Sequence, residues 1–199
     1  MSDRDTVAFY DQAAARADGI RADGPPEPAL ARFLDALAPG AQVLDLGCGH
    51  GIASAHLSRA GHRVTGLDAS AGLLEVARRL APEAQFILGN FDDLDATAAY
   101  DGVWAHYALP HAPRAALPHH LAAIARALRP GGLFHLSMLL GDGDQRDSYG
   151  RLYSYYSEAA LDAALAEAGF AEVARDTGTR PGYGGAVDPF VAYLMRTPL

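Results

Sequence analysis

The residues with the most informative chemical spacing lie in segment 41–51, which reads AQVLDLGCGHG. Gly47, Gly49 and Gly51 alternate after a short apolar run and precede an alanine-rich segment with helical spacing. Glycine is required where the backbone turns with positive φ or approaches a ligand closely. The first N–H groups of a helix are unpaired and carry partial positive charge, which suits a polar or anionic ligand group. The pattern therefore predicts a strand, a turn and a helix that together bind a nucleotide-type cofactor.

The residues around these glycines distinguish between cofactors. In the dinucleotide fingerprint G-x-G-x-x-G, a third glycine would stand at the position of Ile52. Asp45, two positions before Gly47, is not part of that fingerprint. A carboxylate there would accept a hydrogen bond from a cationic amino group, which a methionine moiety offers and a pyrophosphate does not. The segment D-L-G-C-G-H-G resembles motif I of the class I S-adenosylmethionine-dependent methyltransferases, and this resemblance implies S-adenosylmethionine as the cofactor.

A second carboxylate, Asp68, ends the apolar segment 62–67 and lies 19 residues after Gly49. An acidic residue at about this distance, at the end of the second strand, accepts hydrogen bonds from ribose hydroxyls in dinucleotide-binding folds. Because nicotinamide enzymes use the same feature, Asp68 does not separate the two cofactor classes. The alternative is that Asp68, like Ser70, caps the following helix.

Further segments resemble the same family over nearly the whole chain. Segment 100–103 resembles motif IV (F/Y-D-x-V), segment 129–133 resembles the P-G-G turn before strand five, and Gly169-Phe170 resembles the C-terminal ending. The resemblance implies that the cofactor is bound by Asp45, Gly47, Cys48, Gly49, Gly51, Asp68, Ala69, Asn90, Phe91, Ala105 and Tyr10.

Several of these assignments have alternatives. Relatives commonly carry an acid at the position of Asn90 that accepts from the adenine amino group; the Asn90 amide oxygen can do the same, or Asp92 can serve instead. Phe91 packs on the adenine or belongs to the core. Tyr10 lines the cofactor from an N-terminal lid helix or packs in the core. Cys48 is expected to be a small residue packed in the glycine turn.

Two histidines after strand four are candidate catalytic residues. His106 and His111 lie where the methyl group and the acceptor should meet, and histidine titrates near neutrality. His111 matches the histidine of the L-L-H-V-P segment of relatives, whereas Pro110 departs from that pattern. A base is required only for a hydroxyl or ammonium acceptor, because a thiolate or carbanion needs none. The alternative for both histidines is a packing or hydrogen-bonding role.

Other chemistry-bearing residues are less specific. His119 and His120 are expected to be solvated on an exposed helix. The polar, glycine-rich segment 141–150 is a candidate lid. Its aspartates lack the glutamate and spacing of an EF-hand, so no metal site is expected. Tyr153, Tyr155 and Tyr156 can line an acceptor pocket, or they pack in the core as the approach to the next helix. Arg146 and Arg151 can hold an anionic substrate.

The order of predicted elements indicates an α/β fold. Helices are predicted at 4–17, 28–37, 52–60, 70–80, 115–128 and 158–168. Strands are predicted at 43–46, 62–67, 83–88, 100–105, 133–140, after 170 and at 190–196. The glycine-rich segment 178–188 is expected to be mobile. The resemblance implies a Rossmann-like three-layer sandwich with a mostly parallel seven-stranded sheet, an antiparallel last strand and an N-terminal helical lid. We expect a single class I methyltransferase domain over 1–199, with a helical cap at 1–38 and the core at 41–199.

Composition limits the class of protein. The 199 residues carry a formal charge of −8, which argues against general affinity for nucleic-acid phosphates. No apolar run approaches the roughly 20 residues that span a bilayer. The lone Cys48 excludes an intramolecular disulfide framework, and the charged beginning of the chain does not resemble a signal peptide. We expect a cytoplasmic protein, monomeric or homodimeric, that binds neither nucleic acid nor membrane.

The residues and the resemblance together predict methyl transfer from S-adenosylmethionine to a small-molecule acceptor, with release of S-adenosylhomocysteine. Two other classes are considered. A cofactor-binding sensor or partner subunit without turnover would share the motifs. An NAD(P)-dependent oxidoreductase is disfavoured by Asp45 and by Ile52 at the third glycine position.

Overall fold

The computed structural model describes residues 3–15, 17, 19–182 and 187–199. Six α-helices lie in these ranges: α1 Arg4–Ala14, α2 Pro28–Ala36, α3 Ile52–Arg59, α4 Ala71–Leu80, α5 Leu117–Ala127 and α6 Glu158–Glu167. The strands there are β1 Gln42–Leu46, β2 Arg63–Asp68, β3 Gln85–Leu88, β4 Tyr100–His106, β5 Leu128–Leu139, β6 Asp144–Arg146, β7 Leu152–Ser154, β8 Ala171–Pro181 and β9 Val187–Arg196.

A seven-stranded sheet with the order β3-β2-β1-β4-β5-β9-β8 forms the centre of the molecule. The five strands from β3 to β5 pair in parallel. Strand β9 lies between β5 and β8 and is antiparallel to both. The predicted Rossmann-like sheet with an antiparallel last strand is confirmed. The strand order reverses between β1 and β4, and ligands bind at the carboxyl ends of strands around such a switch point.

Apolar side chains on both faces of the sheet make the three layers. The strands read as buried runs because helices cover both faces. One core cluster packs β1, β4 and β5 against α5 and α6, and it includes Leu44, Val103, Phe134, Leu121, Ile124 and Leu161. The other packs the opposite face against α2 and α3, and it includes Val43, Trp104, Leu133, Phe33 and Leu57.

Helix α1 lies at the carboxyl edge of the sheet and joins two separate elements. Asp3 caps it by accepting from the Thr6 N–H at 3.0 Å and also pairs with Arg146 of β6 at 2.7 Å. On its other side, Asp11 accepts hydrogen bonds from Ser70 and Gly72 at the start of α4. The predicted N-terminal helical lid is therefore present, and it is attached at both sides.

The structure corrects several predicted boundaries. Helix α1 ends at Ala14 rather than at residue 17, and β5 begins at Leu128 rather than at residue 133. Strand β5 starts early because Leu128 already pairs with Tyr100, before an irregularity in the ladder that accommodates the P-G-G turn. Of the segment expected to be mobile, residues 183–186 lie outside the described residues, as do residues 16 and 18 near the predicted end of the first helix.

Segment 141–150 is not the plain polar loop that its composition suggests. Strand β6 lies within it and pairs with β7 as a separate two-stranded sheet. Tyr153, expected in the approach to a helix, therefore lies in β7. Among the described residues, no helix has the length and apolar character needed to cross a bilayer.

A substitution at Gly51, the N-cap of α3, can test how closely the glycine turn packs on α4. It has φ +79°, and an added Cβ would lie 2.8 Å from the Cβ of Ala77 in α4. Gly61 has a similar φ of +89° with no atom within 4 Å of an added Cβ, so it is the matched control. We expect Gly61→Ala to lower the free energy of unfolding by about 1–2 kcal/mol through its backbone conformation. Gly51→Ala should cost about 1–3 kcal/mol more through overpacking.

Denaturant unfolding of the two variants measures this difference. Equal losses in both would contradict the close packing of the turn on α4.

Candidate active site

A cavity of about 830 Å³ lies at the carboxyl ends of β1, β2, β4 and β5, beneath α1. Its lining residues come from the glycine turn, the ends of these strands, α1 and the β6–β7 sheet. They include Thr6, Val7, Tyr10, Glu27, Gly47, Gly49, Asp68, Ala69, Gly89, Phe91, His106, Tyr107, His111, Ser137, Leu139, Arg151, Tyr153, Arg180 and Phe190.

The glycine turn is held against the end of β2. The backbone N–H groups of Gly47 and Cys48 both donate to the carbonyl of Leu67, at 2.8 and 3.2 Å. A Cβ on Gly47 would lie 2.4 Å from the Cβ of Ala108, which follows β4. Gly49, with φ +52°, differs because no protein atom lies within 4 Å of its added Cβ. Its missing side chain leaves space at the cavity, as the close approach of a ligand requires.

Asp68 stands beside Gly49 at the cavity wall. One carboxylate oxygen accepts from the Gly49 N–H at 2.8 Å, and the other accepts from the Ser70 N–H at 2.9 Å. Burial nevertheless raises the pKa of Asp68 above its ordinary value. Additional donors from a ligand, such as ribose hydroxyls, would stabilise the charged form. Ser70, and not Asp68, is the N-cap of α4, because its side-chain oxygen accepts from the Leu73 N–H at 3.1 Å. Each Asp68 oxygen has a second lone pair, so the ribose role stays a compatible prediction.

Asp45 is buried behind the glycine turn. It accepts from the Ser54 hydroxyl at 2.6 Å. It lines a smaller cavity of about 400 Å³ that shares Gly47, Gly49 and His106 with the large one. Burial, and then the nearby charge of Asp68, raise the pKa of Asp45 to about 7. A cation beside this carboxylate would offset its desolvation.

Phe91 lines the cavity near the glycine turn, with a ring atom 3.5 Å from a Cβ added at Gly47, but Asn90 does not line it. The Asn90 N–H and side-chain amide both donate to Asp93, at 2.7 and 3.3 Å, which closes the short helix Phe91–Asp93. Asp92, the alternative adenine partner, does not line the cavity and faces His119 and His120 instead. Phe91 can therefore contact a ligand in the cavity. Recognition of the adenine by Asn90 stays a prediction.

His111 is fixed in one tautomer. The carbonyl of Leu152 can only accept, so the Nδ1–H of His111 donates to it at 2.8 Å and Nε2 accepts from the Tyr10 hydroxyl at 2.9 Å. Arg151 in turn donates to the Tyr10 oxygen at 3.1 Å. Burial lowers the pKa of His111 to about 4. His111 and Tyr10 therefore join α1 to the β6–β7 sheet through hydrogen bonds that use both ring nitrogens.

His106 has a different environment at the end of β4. Its Nδ1 lies 3.0 Å from the Ser137 hydroxyl, which also lies 2.8 Å from Nε2 of the buried His135. Its Nε2 lies 3.3 Å from a carboxylate oxygen of Glu27. Burial holds the pKa of His135 well below its usual range, so this imidazole is neutral. The side chains of His106 and Glu27 therefore lie in contact at the cavity wall, with Ser137 and His135 of β5 on the Nδ1 side of His106.

Comparisons with known proteins agree with this geometry. Residues 43–132 match the family described as "Methyltransferase domain". The chain is 38% identical over 102 residues to an uncharacterized methyltransferase of Synechocystis, covering 51% of this chain and 48% of that protein. It is 34% identical over 137 residues to a ubiquinone biosynthesis O-methyltransferase of Xanthomonas oryzae, covering 59% of this chain and 54% of that protein. The chain thus spans about half the length of these curated relatives.

A solved structure matches over most of the chain. The 1,6-didemethyltoxoflavin-N1-methyltransferase of Burkholderia thailandensis, with bound S-adenosylhomocysteine, has a TM-score of 0.74 and 27% identity, covering 96% of this chain and 84% of that one. The family match over residues 43–132 and the shared fold support a class I S-adenosylmethionine-dependent methyltransferase. S-Adenosylmethionine is the cofactor of this family, and the space at Gly49 and the carboxylates Asp45 and Asp68 fit it.

The methyltransferase also brings residues to the cavity that the sequence analysis missed. Glu27 precedes Pro28 at the start of α2, and Ser137 alternates with His135 along β5. The H-x-S alternation on one strand was the available signal for Ser137 and His135. Tyr107 has a positive φ of +51°, which is unusual for an aromatic residue, and the Arg180 guanidinium lies 4.0 Å from its ring centre. The contact between Tyr107 and Arg180 joins distant segments, so no local pattern indicated it.

The other predicted residues differ in where they lie and in what they contact. His120 is buried, so its predicted solvation is wrong, whereas His119 is exposed. Tyr153 lines the cavity, but Tyr156 packs in the main core. Tyr155 packs against Gly141. The predicted anion-binding arginines are both paired with carboxylates: Arg146 with Asp3 and Arg151 with Asp147. Ala105 is buried in the core cluster beneath the end of β4.

Asp45 should make the stability of the methyltransferase depend on pH. Its pKa is about 7 in the folded chain against 3.8 as the ordinary value, so between these limits the folded chain holds a proton that the unfolded chain has lost. The protonated Asp45 therefore contributes its full amount to the free energy of unfolding below pH 3.8. This contribution is lost as the pH rises to about 7. Asp45→Asn should remove it.

Denaturant unfolding of wild type and Asp45→Asn at about pH 5 and about pH 8 measures the effect. The wild type should lose stability relative to Asp45→Asn as the pH rises. Asp95→Asn, an exposed carboxylate outside both cavities, controls for general charge effects. If the wild type instead gained stability relative to Asp45→Asn as the pH rises, the raised pKa of Asp45 would be contradicted.

Proposed function

We propose that this chain transfers the methyl group of S-adenosylmethionine to a small-molecule acceptor and releases S-adenosylhomocysteine. The observation that supports it is one continuous cavity of about 830 Å³ that contains Gly49 and Asp68 at one end and His106 and Tyr107 at the other. This volume is at the upper end of the range of small-molecule sites, roughly 300–1,000 Å³. A sensor that binds only the cofactor would not need the end of the cavity that contains His106 and Tyr107.

The cofactor residues have distinct proposed roles. Asp68 would accept from the ribose hydroxyls, Asp45 would face the cationic amino group, and Phe91 would lie against the adenine. The sulfonium of the bound cofactor supplies an electrophilic methyl group. What remains for this chain is to align the acceptor with that group and to exclude water, and such positioning lowers much of the barrier.

The proton acceptor is proposed to be the pair of His106 and Glu27. Both side chains line the cavity, and the Nε2 of His106 lies 3.3 Å from Glu27. His111, the other predicted base, is less suitable because its Nδ1–H donates to the Leu152 carbonyl and its Nε2 accepts from the Tyr10 hydroxyl, whereas the Nε2 of His106 faces a carboxylate that can accept a proton. We assign His111 to holding the lid helix in place. A hydroxyl or ammonium acceptor needs the pair, whereas a thiolate does not.

The acceptor end favours a flat, partly apolar molecule with an electron-rich or anionic group. Tyr107, Tyr153 and Phe190 line it, and Arg180 stands over the Tyr107 ring with no carboxylate within 4 Å among the described residues. Relatives named for ubiquinone biosynthesis and for 1,6-didemethyltoxoflavin are consistent with a small acceptor. The charge of −8 disfavours nucleic acid. We further propose a cytoplasmic monomer or homodimer.

Asp68 tests the cofactor assignment. Asp68→Ala should weaken binding of S-adenosylmethionine and S-adenosylhomocysteine by roughly 10- to 100-fold, because hydrogen bonds to a charged group are lost. Calorimetric titration with both ligands and with NADH measures this, and Asp95→Ala is the control. Wild-type binding of NADH but of neither adenosyl ligand would overturn the proposed cofactor. Unchanged affinity in Asp68→Ala, with a normal circular dichroism spectrum, would remove Asp68 from the site.

His106 tests the proposed base once a screen of phenols, thiols and nitrogen heterocycles has found acceptors. With a hydroxyl acceptor, His106→Gln and Glu27→Gln should lower kcat by roughly 10²- to 10⁴-fold with little change in KM. With a thiol acceptor, the losses should be small. His62→Gln, a histidine outside both cavities, is the control. Equal losses with both acceptor classes would show that the pair positions the substrate rather than taking its proton.

A further inference from the structure

Outside the cavity, three potential metal ligands from two elements come together. Asp92 belongs to the short helix that follows β3, and His119 and His120 lie in the first two turns of α5. One carboxylate oxygen of Asp92 lies 3.9 Å from Nε2 of His119 and 3.8 Å from Nδ1 of His120. The three ligand atoms all lie within 4.8 Å of one another. Asp92 is far in sequence from the two adjacent histidines, so the fold creates the cluster.

His120 supplies an independent observation. Its side chain is 2% exposed, and its buried Nδ1 has no hydrogen-bond partner among the residues that the structure describes. A buried polar atom without a partner is costly, and such an atom in a native protein commonly indicates an ion or water that binds there. The unpartnered nitrogen points to the same carboxylate that faces His119.

We propose that Asp92, His119 and His120 bind a divalent transition-metal ion of the zinc type. Two imidazoles and one carboxylate are the donor set that such ions prefer, whereas magnesium and calcium prefer oxygen alone. Zinc–nitrogen bonds of about 2.1 Å in a tetrahedral site put ligand atoms about 3.4 Å apart. The observed separations are longer: 3.9 and 3.8 Å from the Asp92 oxygen to the two histidine nitrogens, and no more than 4.8 Å for any pair. The exposed side chains of Asp92 and His119 can close this difference by small rotations, and water can fill the fourth position.

The site adjoins the cavity through Phe91. The ring of Phe91 contacts the ring of His120 edge-to-face, with centres 5.6 Å apart, and Phe91 also lines the cavity. An ion bound by Asp92 would hold the short helix that carries Phe91 against α5. The metal is therefore assigned a structural role beside the cofactor cavity and no part in methyl transfer.

Calorimetric titration of untagged, chelator-treated protein with ZnSO₄ tests the site directly. We expect one ion per chain and a higher temperature of thermal unfolding with zinc. Asp92→Asn, His119→Ala and His120→Ala should each weaken binding by roughly tenfold or more, because each removes a ligand. His62→Ala is the matched control: His62 also has a buried, unpartnered Nδ1 but no carboxylate partner among the described residues. It should bind zinc like the wild type.

Several outcomes would overturn the proposal. Fewer than one ion per chain, or binding of MgCl₂ as tight as that of ZnSO₄, would exclude a zinc-type site. Normal zinc affinity in both Asp92→Asn and His119→Ala would place the ion elsewhere. These two side chains are partly or largely exposed, so their variants should remain folded even where His120→Ala does not. Circular dichroism of each metal-free variant checks this.

Discussion

The hydrogen bonds between the glycine turn and the end of β2 are the constraint on which the cofactor end of the cavity depends. The Leu67 carbonyl accepts from two N–H groups of the turn, and Asp68 accepts from Gly49. These bonds fix the turn relative to the next strand, so that Gly49 and Asp68 face the same space. The start of α3, its Gly51 cap and the packing on α4 follow from that position. Without this attachment, β1 and β2 would bring no common site together.

Two carboxylates next to this turn, Asp45 and Asp68, favour a cationic ligand over an anionic one. Asp45 has a raised pKa partly because Asp68 lies near it, and both residues lose solvation through burial. A ligand with a cationic amino group and donating hydroxyls would relieve both effects, whereas a pyrophosphate would add to the repulsion. This preference is a physical reason, independent of similarity, why the cavity suits S-adenosylmethionine better than a dinucleotide.

The sequence was sufficient for the sheet, and for bringing Gly49 and Asp68 together at the cavity, because both depend on local patterns. Short apolar runs, glycines and strand-end acids each occupy a few consecutive residues, and their order gives the parallel sheet. The acceptor end depends on contacts between distant residues. Glu27 meets His106 across the start of α2, and Arg180 meets Tyr107 across the sheet. His120 is buried because the short helix Phe91–Asp93 packs on α5, which helical periodicity alone does not show.

The same residue type has different roles because tertiary contacts, rather than sequence position, set its chemistry. His106 and His111 are five residues apart and look equivalent in the sequence. His111 contacts Tyr10 of α1 and the carbonyl of Leu152, so its proton is fixed and its function is to connect the lid to the sheet edge. His106 contacts a carboxylate and a hydroxyl. The elements that close the cavity therefore give the two histidines different partners.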